Sequence, residues 1–271
     1  MRELERDLPP ATATPAASAA PSYLAIVGSG RAGTAIARAA RASGIEVDVL
    51  GREDGPAIPG GERSAVLLCV PDEAIAAACR RITPFVAAGT SVGHVSGATP
   101  IAALEAAADA GQPTFSMHPM QTIPDAGADL AGAPCGVCGS SREALDLARD
   151  LATAIGMRPF DVADEHRAAY HAAASMASNF LVTLEESAAG LLDAAGVAHA
   201  RDVLAPLVLR TAANWAERGS EALTGPIARG DDATVARHLA ALEADAPELL
   251  PLYEALAERT RALAARQRGS S

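Results

Sequence analysis

The chain has 271 residues and a formal net charge of −11, with 49% hydrophobic and 20% charged residues, a composition typical of a folded protein with one large or two medium domains. All 22 basic residues are arginines, which excludes lysine Schiff-base chemistry and a Walker phosphate loop. The acidic balance and an aromatic content of 3% argue against a nucleic-acid partner.

Several sequence features indicate the cellular compartment of the protein. Four cysteines in a chain of this length do not form a disulfide scaffold. No segment has the pattern of a membrane span or of a secretory signal, so we expect a cytoplasmic protein with no membrane partner. Residues 1–21 are rich in Ala, Pro, Thr and Ser and are predicted to form a disordered leader.

From residue 22 the pattern changes to short apolar runs separated by helical stretches. The runs lie at 23–27, 47–50, 65–70, 90–95, 113–116, 136–138 and 158–162. This alternation predicts an α/β domain over 22–162 with a mainly parallel sheet and helices on both faces. Residues 163–271 lack strand signals, and their pattern predicts helices at 164–195, 199–218, 231–245 and 247–266. The chain is therefore expected to have an N-terminal Rossmann dinucleotide-binding domain and an all-α C-terminal domain.

A glycine motif follows the first apolar run, at the start of a predicted helix. In a dinucleotide fold, Gly28 makes the tight turn, Gly30 lets the backbone approach the pyrophosphate, and Gly33 lets the helix pack on the sheet. The loop is therefore predicted to bind a dinucleotide through Gly28, Ser29, Gly30, Arg31, Ala32 and Gly33. Val70, Pro71 and Ser96, which follow later strands, are predicted to contact the same cofactor.

The end of the second predicted strand bears on the choice of cofactor. NAD sites usually place an acidic residue there, about 20 residues past the glycines, whereas NADP sites place an arginine near the 2′-phosphate. Arg52 stands nineteen residues after Gly33 and favours NADP(H). Glu53 is also in reach of a ribose, so NAD remains the alternative.

A series of motifs carries a family resemblance over residues 23–265. Besides the glycine loop, the motifs are Cys69-Val-Pro-Asp72, His94-Val-Ser96-Gly97, Ser116-Met-His118-Pro119, His166-Arg-Ala-Ala-Tyr170-His171 and Thr224-Gly225-Pro226. The series resembles a two-domain Rossmann-like oxidoreductase family of unassigned substrate with a C-terminal domain of unknown function. That family belongs to the superfamily whose helical domain is similar to that of 6-phosphogluconate dehydrogenase, and it is related to ketopantoate reductase, pyrroline carboxylate reductase and prephenate dehydrogenase.

The resemblance implies a substrate site between the domains, against the nicotinamide, and a homodimer built through the helical domain. Asn179 matches an Asn that ketopantoate reductases use, although their Lys has no counterpart here. His118-Pro119 is similar to the motif that carries the catalytic base of prephenate dehydrogenases, but Gln121 and Thr122 depart from that pattern.

Hydride transfer at a carbonyl or alcohol needs a proton donor or acceptor, and histidine suits that role at neutral pH. His118 stands at the end of a predicted strand, where sites of α/β folds gather, and is the candidate catalytic acid or base. The alternatives for His118 are a substrate ligand or a structural loop residue. His94 and Ser96 either contact nicotinamide or substrate, or form a polar loop that caps the following helix.

His171, Ser175 and Asn179 are spaced four residues apart, which places them on one face of a continuous helix. This polar stripe either faces the substrate, as further catalytic residues, or forms an internal hydrogen-bond network.

Two further motifs have competing interpretations. Thr224 and Arg229 are candidate substrate-binding residues, since a guanidinium can hold a carboxylate with two hydrogen bonds, while Asp231 is a natural N-cap. Cys135 and Cys138 have metal-ligand spacing, but no further ligands accompany them, so we predict a buried strand and no metal.

These residues together predict an NADP(H)-dependent oxidoreductase that transfers hydride to or from a small 2-oxo or imino acid, in the manner of ketopantoate reductase. A prephenate-dehydrogenase-like oxidation of a cyclic acid is the alternative enzyme. A non-catalytic NADP(H)-binding regulator is the alternative of a different class. The expected partners are a small carboxylate substrate and a second copy of the chain.

Overall fold

The computed structural model describes residues 21–51, 58–60 and 63–269. Arg52, and all of the predicted leader except Pro21, lie outside the described residues. The chain divides into two compact units, Met1–Ser175 and Met176–Ser271. The predicted domain boundary at residue 163 falls before the division between the units.

The first unit contains one sheet whose described strands follow the predicted apolar runs. These are β1 (Tyr23–Val27), β2 (Glu46–Leu50), β3 (Ser64–Leu68), β4 (Ser91–His94), β5 (Thr114–Pro119), β6 (Pro134–Gly139) and β7 (Arg158–Asp161). The strand order is β2-β1-β3-β4-β5-β6-β7. Because β1 to β5 are mutually parallel, their carboxyl ends share one edge of the sheet.

The sheet reverses direction once. Strand β6 is antiparallel to β5, with His118 opposite Gly136, and β7 runs parallel to β6. Strand β5 extends beyond the predicted run 113–116, so His118 and Pro119 lie inside the strand and not after it. The α/β class with a mainly parallel sheet is confirmed.

Helices cover both faces of this sheet, as predicted. They are α1 (Arg31–Ala42), α2 (Ile75–Ile82), α3 (Glu105–Asp109), α4 (Arg142–Ala154) and α5 (Arg167–Ala177). Leu24 and Ile26 pack on one face, in the core that includes residues of α1 and α4. Ala25 and Val27 pack on the other face, in the core that includes residues of α2 and α3. This alternation along β1 is what a strand buried on both faces requires.

All elements of the second unit that the structure describes are helical. They are α6 (Asn179–Ala194), α7 (Ala200–Arg218), α8 (Pro226–Arg229), α9 (Asp232–Asp245) and α10 (Leu250–Gly269). The N-cap predicted for Asp231 is confirmed, since its carboxylate accepts a hydrogen bond of 3.0 Å from the Thr234 N–H. Among the described residues, no helix is both long and apolar enough to cross a membrane.

The prediction of one helix over 164–195 is wrong. Ser178 has φ −121° and ψ −74°, outside the helical region, so α5 ends at Ala177 and α6 begins at Asn179. His171 and Ser175 remain one turn apart on α5. Asn179 belongs to the next helix, so the predicted continuous stripe of three residues does not form.

Candidate functional site

The glycine motif forms the turn between β1 and α1, at the carboxyl edge of the sheet. Gly28 has φ +114°, and a Cβ there would lie 2.4 Å from the Cys69 carbonyl oxygen. A Cβ at Gly33 would lie 2.1 Å from the Gly28 carbonyl oxygen, so both positions require glycine for packing. A Cβ at Gly30, in contrast, would meet no atom within 4 Å.

Open space at Gly30 is what a bound pyrophosphate requires. Gly30 is the N-cap of α1, which begins at Arg31 and has no side-chain cap. The N–H groups of the first turn are therefore available to an anion, and the helix dipole favours negative charge there. Ser29 and Ala32 flank this position in the loop and the first turn. The loop and helix thus fit the phosphates of a dinucleotide.

Other predicted cofactor contacts lie at the same edge of the sheet or beside the glycine loop. Val70 follows β3, and its Cγ1 would lie 3.3 Å from a Cβ built on Gly28. Pro71 is exposed and starts the turn after Val70. The Arg31 guanidinium donates a hydrogen bond of 3.4 Å to the Pro124 carbonyl, which ties the loop after β5 to the glycine loop. Arg52 lies outside the described residues.

The turn after β4 is held together by Ser96. Its Oγ accepts hydrogen bonds from the N–H groups of Ala98 (3.2 Å) and Thr99 (2.9 Å) and lies 2.7 Å from a carboxylate oxygen of Asp72. This is the capping arrangement expected as the alternative to a ligand contact. Ser96 is itself buried, so its hydroxyl holds the turn that places Gly97 at the site.

His94 lies beneath this turn and has no exposed surface. Its Nδ1 accepts a hydrogen bond of 3.2 Å from the Ser96 N–H. Burial, assisted by the charge of Arg167, lowers the pKa of His94 to about 4, so the ring is neutral at physiological pH. In this structure His94 supports the turn, and the predicted contact with substrate has no exposed atom to make it.

His118 lies at the centre of a cluster of aromatic side chains from β5 and α5. Its Nδ1 is 2.7 Å from the hydroxyl oxygen of Tyr170, and the two rings meet edge to face with centroids 5.6 Å apart. The ring of His171 is 5.9 Å from that of His118. A Cβ at Gly97 would lie 2.6 Å from Cδ2 of His171 and 2.8 Å from Cε1 of His118. The turn after β4 therefore packs directly on both rings.

Burial also governs the protonation of this cluster. Burial, followed by the nearby His171 and Arg167, lowers the pKa of His118 to about 4, so its imidazole is neutral at pH 7. Burial raises the pKa of Tyr170 to about 12, and Tyr170 therefore keeps its hydroxyl proton. The pair consists of two neutral groups that can exchange one proton.

Arg167, at the start of α5, is buried next to this cluster and connects α5 to the sheet by hydrogen bonds. The side chain is 2% exposed and donates hydrogen bonds to Asp164 Oδ1 (3.1 Å), to the Ser96 carbonyl (2.9 Å) and to the hydroxyl of Ser116 on β5. Asp164 also accepts from the Ile101 N–H. A buried charge that loses its partners costs several kcal/mol, so this network fixes α5 against β4 and β5.

Sequence reasoning missed Tyr170 and Arg167 as functional residues. Tyr170 lies 52 residues from its partner His118, and Gly136 of β6 leaves room for it, because a Cβ there would be 2.7 Å from the hydroxyl oxygen. One signal was available. An Arg and a Tyr stand among alanines at the start of α5, where a solvent-facing helix would carry more charge.

Thr224 and Arg229, the predicted substrate-binding residues, line one cavity of the second unit. The cavity has a volume of about 350 Å³ and also contains the guanidinium-bearing Arg268 and the Gln267 side chain. Two arginines in one cavity favour an anionic group. Cys135 and Cys138 lie in β6 as predicted, and within the described ranges no group of three or more His, Cys, Asp or Glu has metal-ligand geometry.

The chain is similar to one protein family and to several solved structures. The family Domain of unknown function (DUF2520) matches residues 133–260. Among curated proteins, none matches the sequence significantly. A Bacteroides fragilis protein named as an NADP oxidoreductase, BF3122, is 24% identical, with a TM-score of 0.73 over 89% of this chain and 98% of its own.

Two further solved structures have the same architecture. Protein TM1727 from Thermotoga maritima is 20% identical, with a TM-score of 0.72 over 90% of this chain and 99% of its own. Pyrroline carboxylate reductase from Plasmodium falciparum, solved with NADP bound, is 15% identical, with a TM-score of 0.55 over 89% of this chain and 99% of its own. The predicted fold is confirmed. The protein named as an NADP oxidoreductase and the NADP-bound pyrroline carboxylate reductase have the same fold.

Proposed function

We propose that the protein is a cytoplasmic NADP(H)-dependent oxidoreductase that transfers hydride to or from a small 2-oxo or imino acid. The observation that carries the proposal is the glycine loop. It ends in an uncapped helix N-terminus with open space at Gly30, at the same edge of the sheet as His118. The fold shared with NADP oxidoreductases supports this reading.

The cofactor, when bound, supplies or accepts the hydride at its nicotinamide ring. The chain's own residues then have three tasks. Gly30 and the first turn of α1 hold the pyrophosphate, and Arg52 holds the 2′-phosphate. His118 donates or accepts the proton at the substrate oxygen or nitrogen. His171, Ser175 and Asn179 are the residues proposed to orient the substrate. Thr224 and Arg229 are the proposed carboxylate-binding residues of the second unit.

An imino or oxo acid is the proposed substrate class for two reasons. Arginines are the only side chains of this protein that bear a full positive charge at all working pH values, and a bidentate guanidinium suits a carboxylate. The Plasmodium falciparum neighbour reduces, by its name, a pyrroline carboxylate. A prephenate-like oxidation and a non-catalytic regulator are the outcomes that would replace this proposal.

The test begins with binding and proceeds to a screen. NADPH and NADH are titrated by fluorescence, and then a panel of 2-oxo acids and cyclic imino acids is screened for NADPH oxidation. We expect turnover of at least one panel member, with kcat lowered about 10²–10⁴-fold in His118→Asn at unchanged NADPH affinity. Tight NADPH binding without turnover of any oxo, imino or cyclic acid would favour the regulator instead.

We also propose that the protein is a homodimer through its helical unit. Helices α6 and α7 have 16 and 19 residues, yet each buries a single residue. Large apolar side chains on them are 62–70% exposed, namely those of Phe180, Val182, Leu207, Leu209 and Trp215. Exposed large apolar side chains in this number are typical of a surface that another protein chain covers. Light scattering should give twice the chain mass for the wild type, and Leu207→Asp with Trp215→Ala should give the monomer.

A further inference from the structure

Tyr170 and His118 form a short side-chain contact at the proposed reaction site. Tyr170 comes from the first turns of α5, and His118 from the carboxyl end of β5. Their contact of 2.7 Å is a full hydrogen bond between a phenol and an imidazole nitrogen. One of the two atoms must donate the proton, and the choice determines what the other imidazole nitrogen presents.

The surroundings favour Tyr170 as the donor. Among the described residues, the Tyr170 hydroxyl has no hydrogen-bond partner other than Nδ1 of His118, so its own proton finds an acceptor only there. The phenol stays protonated and the imidazole stays neutral at pH 7, for the reasons of burial given above. His118 Nδ1 then accepts, and the single proton of the neutral ring lies on Nε2.

A neutral imidazole cannot by itself act as an acid at pH 7. Loss of the Nε2 proton would leave an imidazolate, unless Nδ1 receives another proton in the same event. The doubly protonated imidazolium is also disfavoured here, because His171 and Arg167 face the ring and burial penalises the charge. Asp72 is the acidic group that opposes this effect. His118 therefore needs a proton source at Nδ1, and Tyr170 is in contact with that atom.

We propose that Tyr170 is a positioning and relay residue: it fixes His118 as the Nε2–H tautomer and passes its own hydroxyl proton through His118 to the substrate. This proposal rests on the proposed function. It assigns to Tyr170 a role that is indirect, since His118 is the residue that touches substrate.

In the reduction of a 2-oxo acid, each new bond forms as another bond breaks. Hydride from a reduced nicotinamide forms the new C–H bond, and the electron pair of the C=O double bond moves to the oxygen. The Nε2–H bond of His118 breaks as the O–H bond of the product forms. The Tyr170 O–H bond breaks as an Nδ1–H bond forms, so the imidazole stays neutral and only its tautomer changes. The resulting phenolate lies near the charge of Arg167. The resting state returns when water protonates Nε2 of His118 and the Nδ1 proton moves back to the phenolate oxygen.

The relay predicts an unusual pH dependence for catalysis. The groups that face the pair are His171 and Arg167 of α5, Asp72 after β3 and Cys135 of β6. Because burial raises the pKa of Tyr170 to about 12, the resting enzyme keeps this hydroxyl proton over the whole range, and kcat for reduction should be flat between pH 6 and 9. In Tyr170→Phe the only remaining acid is the scarce imidazolium. The variant's kcat should therefore be lowered about 10²–10³-fold at pH 8 and rise about tenfold for each pH unit of acidification.

A second Tyr–His pair supplies a matched control. In the second unit, the Tyr253 hydroxyl is 2.8 Å from Nδ1 of His238, with the rings again edge to face. Tyr253→Phe removes the same kind of hydrogen bond at an exposed position. It should leave kcat, the pH profile and the tautomer of His118 unchanged.

The experiment combines kinetics with nitrogen NMR of the full-length chain labelled with ¹⁵N-histidine. At pH 7 the wild type should show His118 as the Nε2–H tautomer, and Tyr170→Phe should gain the Nδ1–H form. A wild-type His118 in the Nδ1–H form overturns the proposal without reference to activity. A Tyr170→Phe enzyme with a flat pH profile and kcat within threefold of wild type also overturns it, while the proposed function stands.

The failure of the proposed function looks different. A wild type that reduces no compound of the panel removes the reaction, and the relay with it, whatever the tautomer. If Tyr170→Phe does not fold, the tautomer of His118 and the pH profile of kcat in the wild type still test the relay. A bell-shaped wild-type profile centred near pH 6–7 would refute the relay.

Discussion

Replacing either of two glycines of the glycine loop by alanine should have a different effect: one replacement should weaken cofactor binding, and the other should lower the stability of the fold. Gly30 has φ −69° and ψ −177°, which alanine adopts freely, and a Cβ there would meet no atom within 4 Å. A Cβ at Gly33 would lie 2.1 Å from the backbone carbonyl of Gly28, and a backbone atom has little freedom to move aside. Gly30→Ala should therefore act on the ligand, and Gly33→Ala on the fold.

The magnitudes follow from these geometries. For Gly30→Ala, the lower entropy of the unfolded chain stabilises by about 0.4–1 kcal/mol and the poorer N-cap costs a similar amount, so stability should change by less than about 1 kcal/mol. The methyl group would occupy the space of the pyrophosphate and remove one or two charge-assisted hydrogen bonds, each worth about 1.5–3 kcal/mol. NADPH affinity should therefore fall roughly 10- to 10⁴-fold. For Gly33→Ala, overpacking should cost about 1–3 kcal/mol, or roughly 3–10 °C in Tm.

Calorimetry and NADPH titration of the same samples provide the assay. Gly190→Ala is the control, because Gly190 lies inside α6 and a Cβ there also meets nothing within 4 Å. It should raise Tm slightly, by virtue of helix propensity, and leave NADPH affinity unchanged. The reasoning is refuted if Gly30→Ala binds NADPH within twofold of wild type, or if Gly33→Ala is as stable as wild type.

Three other predictions concern the cofactor, acid stability and the substrate. Arg52→Ala should weaken NADPH by about 1–3 kcal/mol and leave NADH nearly unchanged in parallel titrations; equal wild-type affinities for the two nucleotides would contradict it. Folding lowers the pKa values of His94 and His118 to about 4. Between pH 6.5 and 4 the unfolded chain therefore binds more protons than the folded chain, so the free energy of unfolding must fall as the pH falls through that window. Denaturant unfolding should show that the free energy of unfolding falls by about 2–3 kcal/mol per histidine between pH 7 and pH 4.5, and by less in His118→Asn. An equal fall in the variant would rule out the contribution of His118. Arg229→Ala should raise KM for the acid substrate tenfold or more and leave NADPH affinity unchanged. Arg268→Ala should have the same effect if both arginines of the cavity bind the carboxylate. An unchanged KM in both variants would show that the carboxylate binds elsewhere.

Local sequence pattern was sufficient to predict the fold class and the glycine turn between β1 and α1. The alternation of core residues along β1, the glycine spacing that follows it and the Asp231 cap all depend on residues within a few positions of one another. Such features are visible in a sequence because the interactions that cause them are themselves local. The order of strand and helix along residues 22–162 followed from the same kind of signal.

The chemistry around His118 was decided by contacts between distant segments. The reversal at β6 places Gly136 opposite His118, and only the missing Cβ of Gly136 leaves room for the Tyr170 hydroxyl. Arg167 is buried against Ser96 and Ser116, which precede it by more than fifty residues, so its sequence neighbours do not identify the partners that bury it. The break at Ser178 likewise interrupts a polar stripe whose spacing was regular. Sequence periodicity reports which face of an element is apolar, whereas pairing, burial and protonation depend on which faces meet, and that is a property of the tertiary structure.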